Sequence, residues 1–201
     1  MRPSNPDLAD AYDQRLADVT TGTPRRLSGP IELSDYDPTW ARAYRCEAAR
    51  IGGALGTRAL RIEHVGSTSV PGLPAKPIID IVLELARSSD EPAYVPDLEA
   101  AEYGLRIREP DWFEHRLFKR QDPAVNLHVF TRGCPASDRM VRFRDWLRGN
   151  AADRDLYARA KRELASRKWT YVQQYADAKT EVIASILTRA HALLATSKMN
   201  S

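Results

Sequence analysis

Residues 77–85 read PIIDIVLEL, a nearly continuous apolar run with one carboxylate near its start. Such a run is the pattern of a central strand covered on both faces. The fold must therefore place a packed layer on each side of a sheet. It must also explain why Asp80 sits inside that strand, because a carboxylate among apolar neighbours costs several kcal/mol unless it is paired or opens onto a site.

The surrounding chain supplies the layers. Residues 59–65 (ALRIEHV) and 30–34 (PIELS) alternate as strands, and LRIRE, HRLFKRQ and AVNLHVFTR follow as three more β-like segments. The last two should be antiparallel neighbours joined by the QDPA turn. A short helix is expected over residues 7–18. A second starts at Asp37-Pro38, with Trp40, Tyr44, Ala48 and Ile51 on its apolar face and Gly52, Gly53 and Gly56 at its end. Residues 95–103 suit a short helix. Beyond Arg132 the period becomes helical. One helix is capped by Ser137 or Asp138 and stopped by Gly149, and a second covers residues 151–166. A long third starts at Thr170, with Val172, Tyr175, Lys179, Ile183 and Ile186 near one stripe. The expected class is α+β: a mixed-sheet core over residues 29–132, a helical portion over 133–201 packed on it, and an N-terminal extension over 1–28.

With 201 residues, 43% of them apolar, the chain can bury a core without disulfides or structural metal. Cys46 and Cys134 form no CxxC pair, which points away from a zinc site and a disulfide framework. The first residues, MRPSNPDLADAYDQ, lack the apolar run of a signal peptide, and no stretch approaches the ~20 residues of a membrane span. A cytoplasmic protein with no membrane partner is expected. The net charge of +3 is uneven: residues 104–168 hold 16 Lys/Arg against 9 Asp/Glu, and the remainder 14 against 18. That bias suits an anionic partner, whether nucleotide, phosphorylated metabolite or nucleic acid. Arginines solvating helix faces beside Asp and Glu give the same count. Nucleic acid is the least expected partner, because no recognition motif is present.

The chemistry concentrates in residues 62–81, IEHVGSTSVPGLPAKPIIDI. It is not a P-loop: five residues separate Gly66 and Gly72, Lys76 is not next to the second glycine, and a strand rather than a helix follows. The pattern instead fits a nucleotidyltransferase core, in which a strand leads to Gly-Ser and a later strand carries carboxylates. The turn's N–H groups and hydroxyls would hold a triphosphate. The strand carboxylates would hold Mg²⁺, which bridges phosphate oxygens as the α-phosphorus is attacked. One departure matters. The position two past Asp80 is Val82, and Glu84, though on the same face, is ~13 Å away along a strand. Any metal would need further ligands from His128, His64, Glu63 or His115.

Several blocks resemble the GrpB family, a group placed in the nucleotidyltransferase superfamily. They are DYDPTW at 35–40, the stretch at 62–81, NLHVF at 126–130, FRDWLR at 143–148, YARAKRELA at 157–165 and YADAKTEVI at 175–183. The resemblance covers roughly residues 29–192. It implies a nucleotidyltransferase-like core with appended helices. In some relatives a similar domain is fused to a dephospho-CoA kinase, which hints at nucleotide or coenzyme metabolism. The missing second carboxylate resembles the family's usual pattern. The family therefore either uses altered metal chemistry or binds nucleotides without transferring them.

The expected site follows from both readings. Asp80, His128 and His64 are the candidate catalytic residues, and Asp80, His128 and Glu63 the candidate Mg²⁺ ligands. Gly66, Ser67, Thr68, Lys76, Arg116, Lys119, Arg144, Lys161 and Lys179 are the candidate phosphate contacts. Ser67 and Thr68 suit a plain β-turn equally well, and Asp80 a structural ion pair. Lys179 lies on an apolar stripe, where it needs a carboxylate, a ligand phosphate or room to snorkel. Trp146, Tyr157 and Tyr175 read as core. The leading expectation is an enzyme using ATP or another nucleoside triphosphate and a small acceptor, with an adenylate that goes on to an amide or ester if the acceptor is a carboxylate. The alternative is a non-catalytic module that binds a nucleotide or phosphorylated metabolite.

Overall fold

Five strands form one mixed sheet: β1 (Arg61–Val65), β2 (Ile79–Leu85), β3 (Gly104–Glu109), β4 (His115–Arg120) and β5 (Val125–Thr131), in the order β1-β2-β5-β4-β3. The computed structural model describes residues 6–24 and 26–199. The apolar run is indeed a central strand. β2 lies between β1, antiparallel, and β5, parallel, while β4 is antiparallel to both β5 and β3. The QDPA turn joins β4 to β5 as its spacing suggests.

The two faces of β2 are chemically unlike. Ile79, Ile81, Leu83 and Leu85 join the main core, where α2 (Thr39–Leu55) brings Trp40, Ile51 and Leu55, and α3 (Val95–Ala100) brings Leu98. Asp80, Val82 and Glu84 take the other face, as period-two alternation requires. There Val82 packs with Val65, Phe130 and Val141 under α4 (Pro135–Gly149). Glu84 is buried and structural: Ser137 Oγ donates to it at 2.5 Å and Arg61 pairs with it at 3.2 Å. It supports the first turn of α4 and takes no part at Asp80. That turn also begins earlier than expected, at Pro135, because Ser137 serves Glu84 instead of capping the helix.

Two further expectations change. Residues 30–34 do not join the sheet; Ser34 makes an isolated bridge to Ala75, and Ile31 packs on Leu164 and Tyr175. Their alternation serves a helix contact. The long C-terminal helix is two helices, α6 (Val172–Asp177) and α7 (Thr180–Met199). Lys179 N–H bonds back to Ala176 O, a tight turn that lets the two segments pack differently. Tyr175 enters the Ile31–Leu164 cluster, whereas Ile186 enters one with Val70, Leu73, Leu147 and Tyr157. That second cluster ties α7 and α5 (Ala151–Ala165) to the loop before β2. The first helix, α1 (Pro6–Val19), ends near β3, where Thr20 bridges Ile107. Among the described residues no helix is long and apolar enough to cross a membrane.

Candidate functional site

Asp80 lies at the start of β2 with its side chain 26% exposed, so a ligand can reach it. Its parallel neighbour Asn126 donates Nδ2–H to Asp80 Oδ1 at 2.8 Å, and His128 Nε2 stands 3.9 Å from the same oxygen. The turn after β1 presses on its other oxygen. Gly66 has φ +67°, and a Cβ there would stand 2.2 Å from Asp80 Oδ2 and 2.8 Å from Asp80 Cβ. Only glycine allows both the left-handed backbone and the approach. Gly66→Ala is therefore expected to destabilise the fold by about 2 kcal/mol and to displace the carboxylate. Urea unfolding checks the first effect, and loss of ligand affinity the second.

The turn residues divide in their use. Thr68 Oγ1 is buried, donates to Ile78 O at 3.1 Å and lies 3.1 Å from His64 Nε2. Ser69 Oγ donates to Gly66 O at 2.6 Å. Both hydroxyls are taken up by the turn itself and by His64. Ser67 instead sits beside the Tyr157 hydroxyl.

Three lysines lie within electrostatic reach of Asp80. Lys76 comes from the loop before β2, Lys161 from α5, and Lys179 from the break between α6 and α7. Aromatic rings separate them. Lys161 Nζ lies 5.6 Å over the Tyr157 ring, while Lys76 and Lys179 lie 5.5 and 4.5 Å over that of Tyr175. The Lys161 ammonium also donates to Pro74 O. Burial, followed by the charge of Lys179, brings Lys161 down to about 7, with Asp80 opposing. Burial and then Lys76 bring Lys179 down to about 8. Lys76 is lowered too, chiefly by burial. Burial would raise the Asp80 carboxyl, but His128, Asn126 and Lys179 outweigh it and hold it below the usual range. One carboxylate cannot balance three crowded amines. The buried Tyr175 hydroxyl, moreover, has no hydrogen-bond partner among the described residues. The cluster carries an excess of cationic groups that an anion of more than one charge would balance.

Other expected residues lie elsewhere. His64 points to the opposite face from Asp80, buried, with its ring stacked on Tyr44 at 4.7 Å. Burial takes it down to about 4, and as a neutral ring it is part of the core. Arg144 is buried on Glu63 at 2.6 Å and His64 O at 2.9 Å. Arg116, on the face away from Asp80, pairs with Glu91 at 2.6 Å. Neither reaches the lysine cluster. Lys119 does face the Asp80 side, opposite Asn126 in the β4–β5 register, and its charge is felt at Lys76.

The family model for GrpB protein matches residues 30–189. The chain belongs to the GrpB family. It is 57% identical over 180 residues to UPF0157 protein BH1888 of Halalkalibacterium halodurans, covering 90% of this chain and 92% of that protein. It is 30% identical over 164 residues to a dephospho-CoA kinase of Mycolicibacterium paratuberculosis, covering 69% of this chain but 40% of that protein. The conserved protein GrpB from Enterococcus faecalis, a solved structure, superposes with a TM-score of 0.66 at 25% identity, covering 79% of this chain and 99% of that one. The α+β sheet with its helices is thus the architecture of a GrpB protein.

The metal expectation needs correcting in this GrpB chain. Glu63 is taken by Arg144 and Arg61, His64 faces away, and Asp80 is left with His128 and Asn126. Among the described residues no three His, Cys, Asp or Glu side chains gather. Mg²⁺ takes oxygen ligands in octahedral geometry, and one carboxylate ringed by three ammonium groups does not supply them. The donor set does not fit a resident metal. Asn126 and Tyr157, not anticipated as site residues, also border Asp80 and Ser67. The alternation of AVNLHVF already placed Asn126 with His128, but only the β2–β5 pairing brings that face to Asp80.

Proposed function

We propose that this chain is a nucleotidyltransferase-type enzyme that binds a nucleoside triphosphate, ATP foremost, and transfers its nucleotidyl group to a small acceptor. The convergence of Lys76, Lys161 and Lys179 on the glycine-backed Asp80 carries this reading. The phosphates would lie on the lysines and Ser67, meeting charge with preorganised charge. Asp80 and His128 would face the acceptor. Magnesium enters as the nucleotide's counter-ion, part of the substrate. The relative named dephospho-CoA kinase agrees with a setting in nucleotide or coenzyme metabolism.

Val82, in place of a second carboxylate, favours one other reading, a module that binds the nucleotide without transferring it. Calorimetric titration of ATP with and without Mg²⁺, followed by a pyrophosphate-release assay, separates the two. The enzyme reading expects saturable ATP binding and pyrophosphate release once an acceptor is supplied from a metabolite panel. Binding with no release across the panel supports the module. Absence of binding removes both.

A further inference from the structure

Four side chains line up on the Asp80 face, leading from the far end of the sheet to the site. Glu109 Oε2 lies 2.7 Å from His115 Nδ1, His115 Nε2 lies 3.1 Å from His128 Nδ1, and His128 Nε2 lies 3.9 Å from Asp80 Oδ1. The strand registers produce the line. Glu109 pairs with His115 across β3–β4, and β5 sets His128 beside both β4 and β2. The two imidazole centroids are 5.3 Å apart, with the ring planes 22° apart. His115 is only 4% exposed, lies against Phe130 with centroids 4.8 Å apart, and meets the edge of Trp112 at 5.3 Å. Glu109 is 32% exposed, so the line runs from a water-accessible carboxylate, through a sealed ring, to the site.

The proton positions follow from chemistry. Titratable and charged groups around His115 are Glu109, which favours its protonation, and His128 (when protonated) and Arg116, which oppose it; burial is the largest influence and holds it below its ordinary value. A neutral His115 beside a carboxylate carries its proton on Nδ1 and donates it to Glu109. Its Nε2 then accepts from His128 Nδ1–H. With its proton on Nδ1, His128 turns a basic Nε2 toward Asp80, and it draws the Asp80 carboxyl down once that nitrogen takes up a proton. The 3.9 Å gap is too long for a direct hydrogen bond and leaves room for a nucleophile touching both atoms.

We propose that Glu109, His115 and His128 form a proton relay, in which His128 Nε2 takes the proton from the acceptor's nucleophile and His115 and Glu109 act as positioning residues. The proposal rests on the transfer reading above. In the step, the nucleophile's lone pair bonds to the α-phosphorus and the bond to the pyrophosphate oxygen breaks, with pyrophosphate leaving on that electron pair. The nucleophile's proton moves to His128 Nε2, the His128 Nδ1 proton moves to His115 Nε2, and the resulting imidazolium pairs with Glu109. The relay separates two roles that a single buried imidazole would combine. His128 gives up one proton as it takes another, and the positive charge is delivered to His115, away from the lysines.

Two measurements on the full chain test this. The first is imidazole ¹⁵N NMR near neutral pH. It is expected to find the His128 proton on Nδ1 in the wild type and on Nε2 in His115→Phe. A wild-type His128 protonated on Nε2 overturns the relay, whatever the turnover. The second is the pH profile of pyrophosphate release. Glu109→Ala is expected to lower the plateau about tenfold to a hundredfold with the ATP KM unchanged. It should also move the acid limb to lower pH, because His115 without its carboxylate protonates later. A loss of rate with the limb unmoved overturns the relay and leaves Glu109 a structural residue. If the expected tautomers appear and no triphosphate is turned over, the hydrogen-bonded line stands but the transfer reading fails, and the relay's role in the step is overturned with it.

Discussion

Asp80→Asn is expected to lower pyrophosphate release at least about a thousandfold while ATP affinity holds or rises. The substitution keeps the shape. An asparagine oxygen still accepts from Asn126 Nδ2, so the β2–β5 contact survives. The negative charge is what goes. Lys76, Lys161 and Lys179 lose their shared counter-charge and depend more on the ligand's phosphates. The unliganded protein should be weaker. The Asp80 carboxyl is held below its ordinary value, so it contributes stability above the usual carboxylate range, lost as pH falls through its folded value. At neutral pH the asparagine variant should lose about 1–3 kcal/mol, and tripolyphosphate should restore its Tm. Unchanged turnover would remove Asp80 from the chemistry. Loss of ATP binding together with turnover would make it a part of the binding frame.

How much of this was legible in the sequence depends on the distance over which each feature acts. The apolar run at 77–85 gave the central strand, and alternation together with a turn gave the β4–β5 hairpin, because both are local. Asp80 stood out because an apolar strand offers it no local partner. Lys179 stood out because its helical stripe offers none. The misplacements are failures of facing. His64 and Glu63 are adjacent on β1, so only one of them can share a face with Asp80, and the β1–β2 register decides which. Arg116 and Arg144 were read as anion contacts, yet Glu91 and Glu63, which hold them, are far away in sequence, and Arg144 also pairs with the adjacent Asp145. Tyr157 and Tyr175 were read as core from their period. They are buried, as that period implies, but periodicity cannot reveal that their rings lie beside lysines from three separate segments.

Lys179→Met inverts the usual sign of a deletion at a half-buried site: it is expected to stabilise the unliganded protein and to spoil the ligand's binding. Methionine keeps the length and apolar stem of lysine and can still pack its sulfur on Tyr175, replacing the contact at 4.5 Å. It removes an amine whose proton affinity the fold lowers from 10.5 to about 8. A lysine depressed in the folded state binds fewer protons there than when unfolded. Its penalty is therefore full below pH 8 and fades as pH climbs toward 10.5. That penalty is about 3 kcal/mol at most, and the methionine should recover about 1–2 of it near pH 7, a rise of roughly 3–8 °C in Tm. The gain should disappear in unfolding curves recorded near pH 10. Binding should move the other way. Losing one charge-assisted contact is expected to weaken ATP or tripolyphosphate tenfold to a hundredfold, about 1.5–3 kcal/mol. The wild type should also take up protons on binding at pH 8, where Lys179 is about half charged, so the heat should vary with the buffer's ionisation enthalpy. The variant should take up fewer. A Lys179→Met protein that is less stable than wild type at pH 7 and binds polyphosphate equally well would mean that the ammonium has a structural partner, and that the lysine cluster was not assembled for a ligand. The expected pairing, greater stability with lost affinity, is the signature of a site that holds like charges together for an anion to relieve.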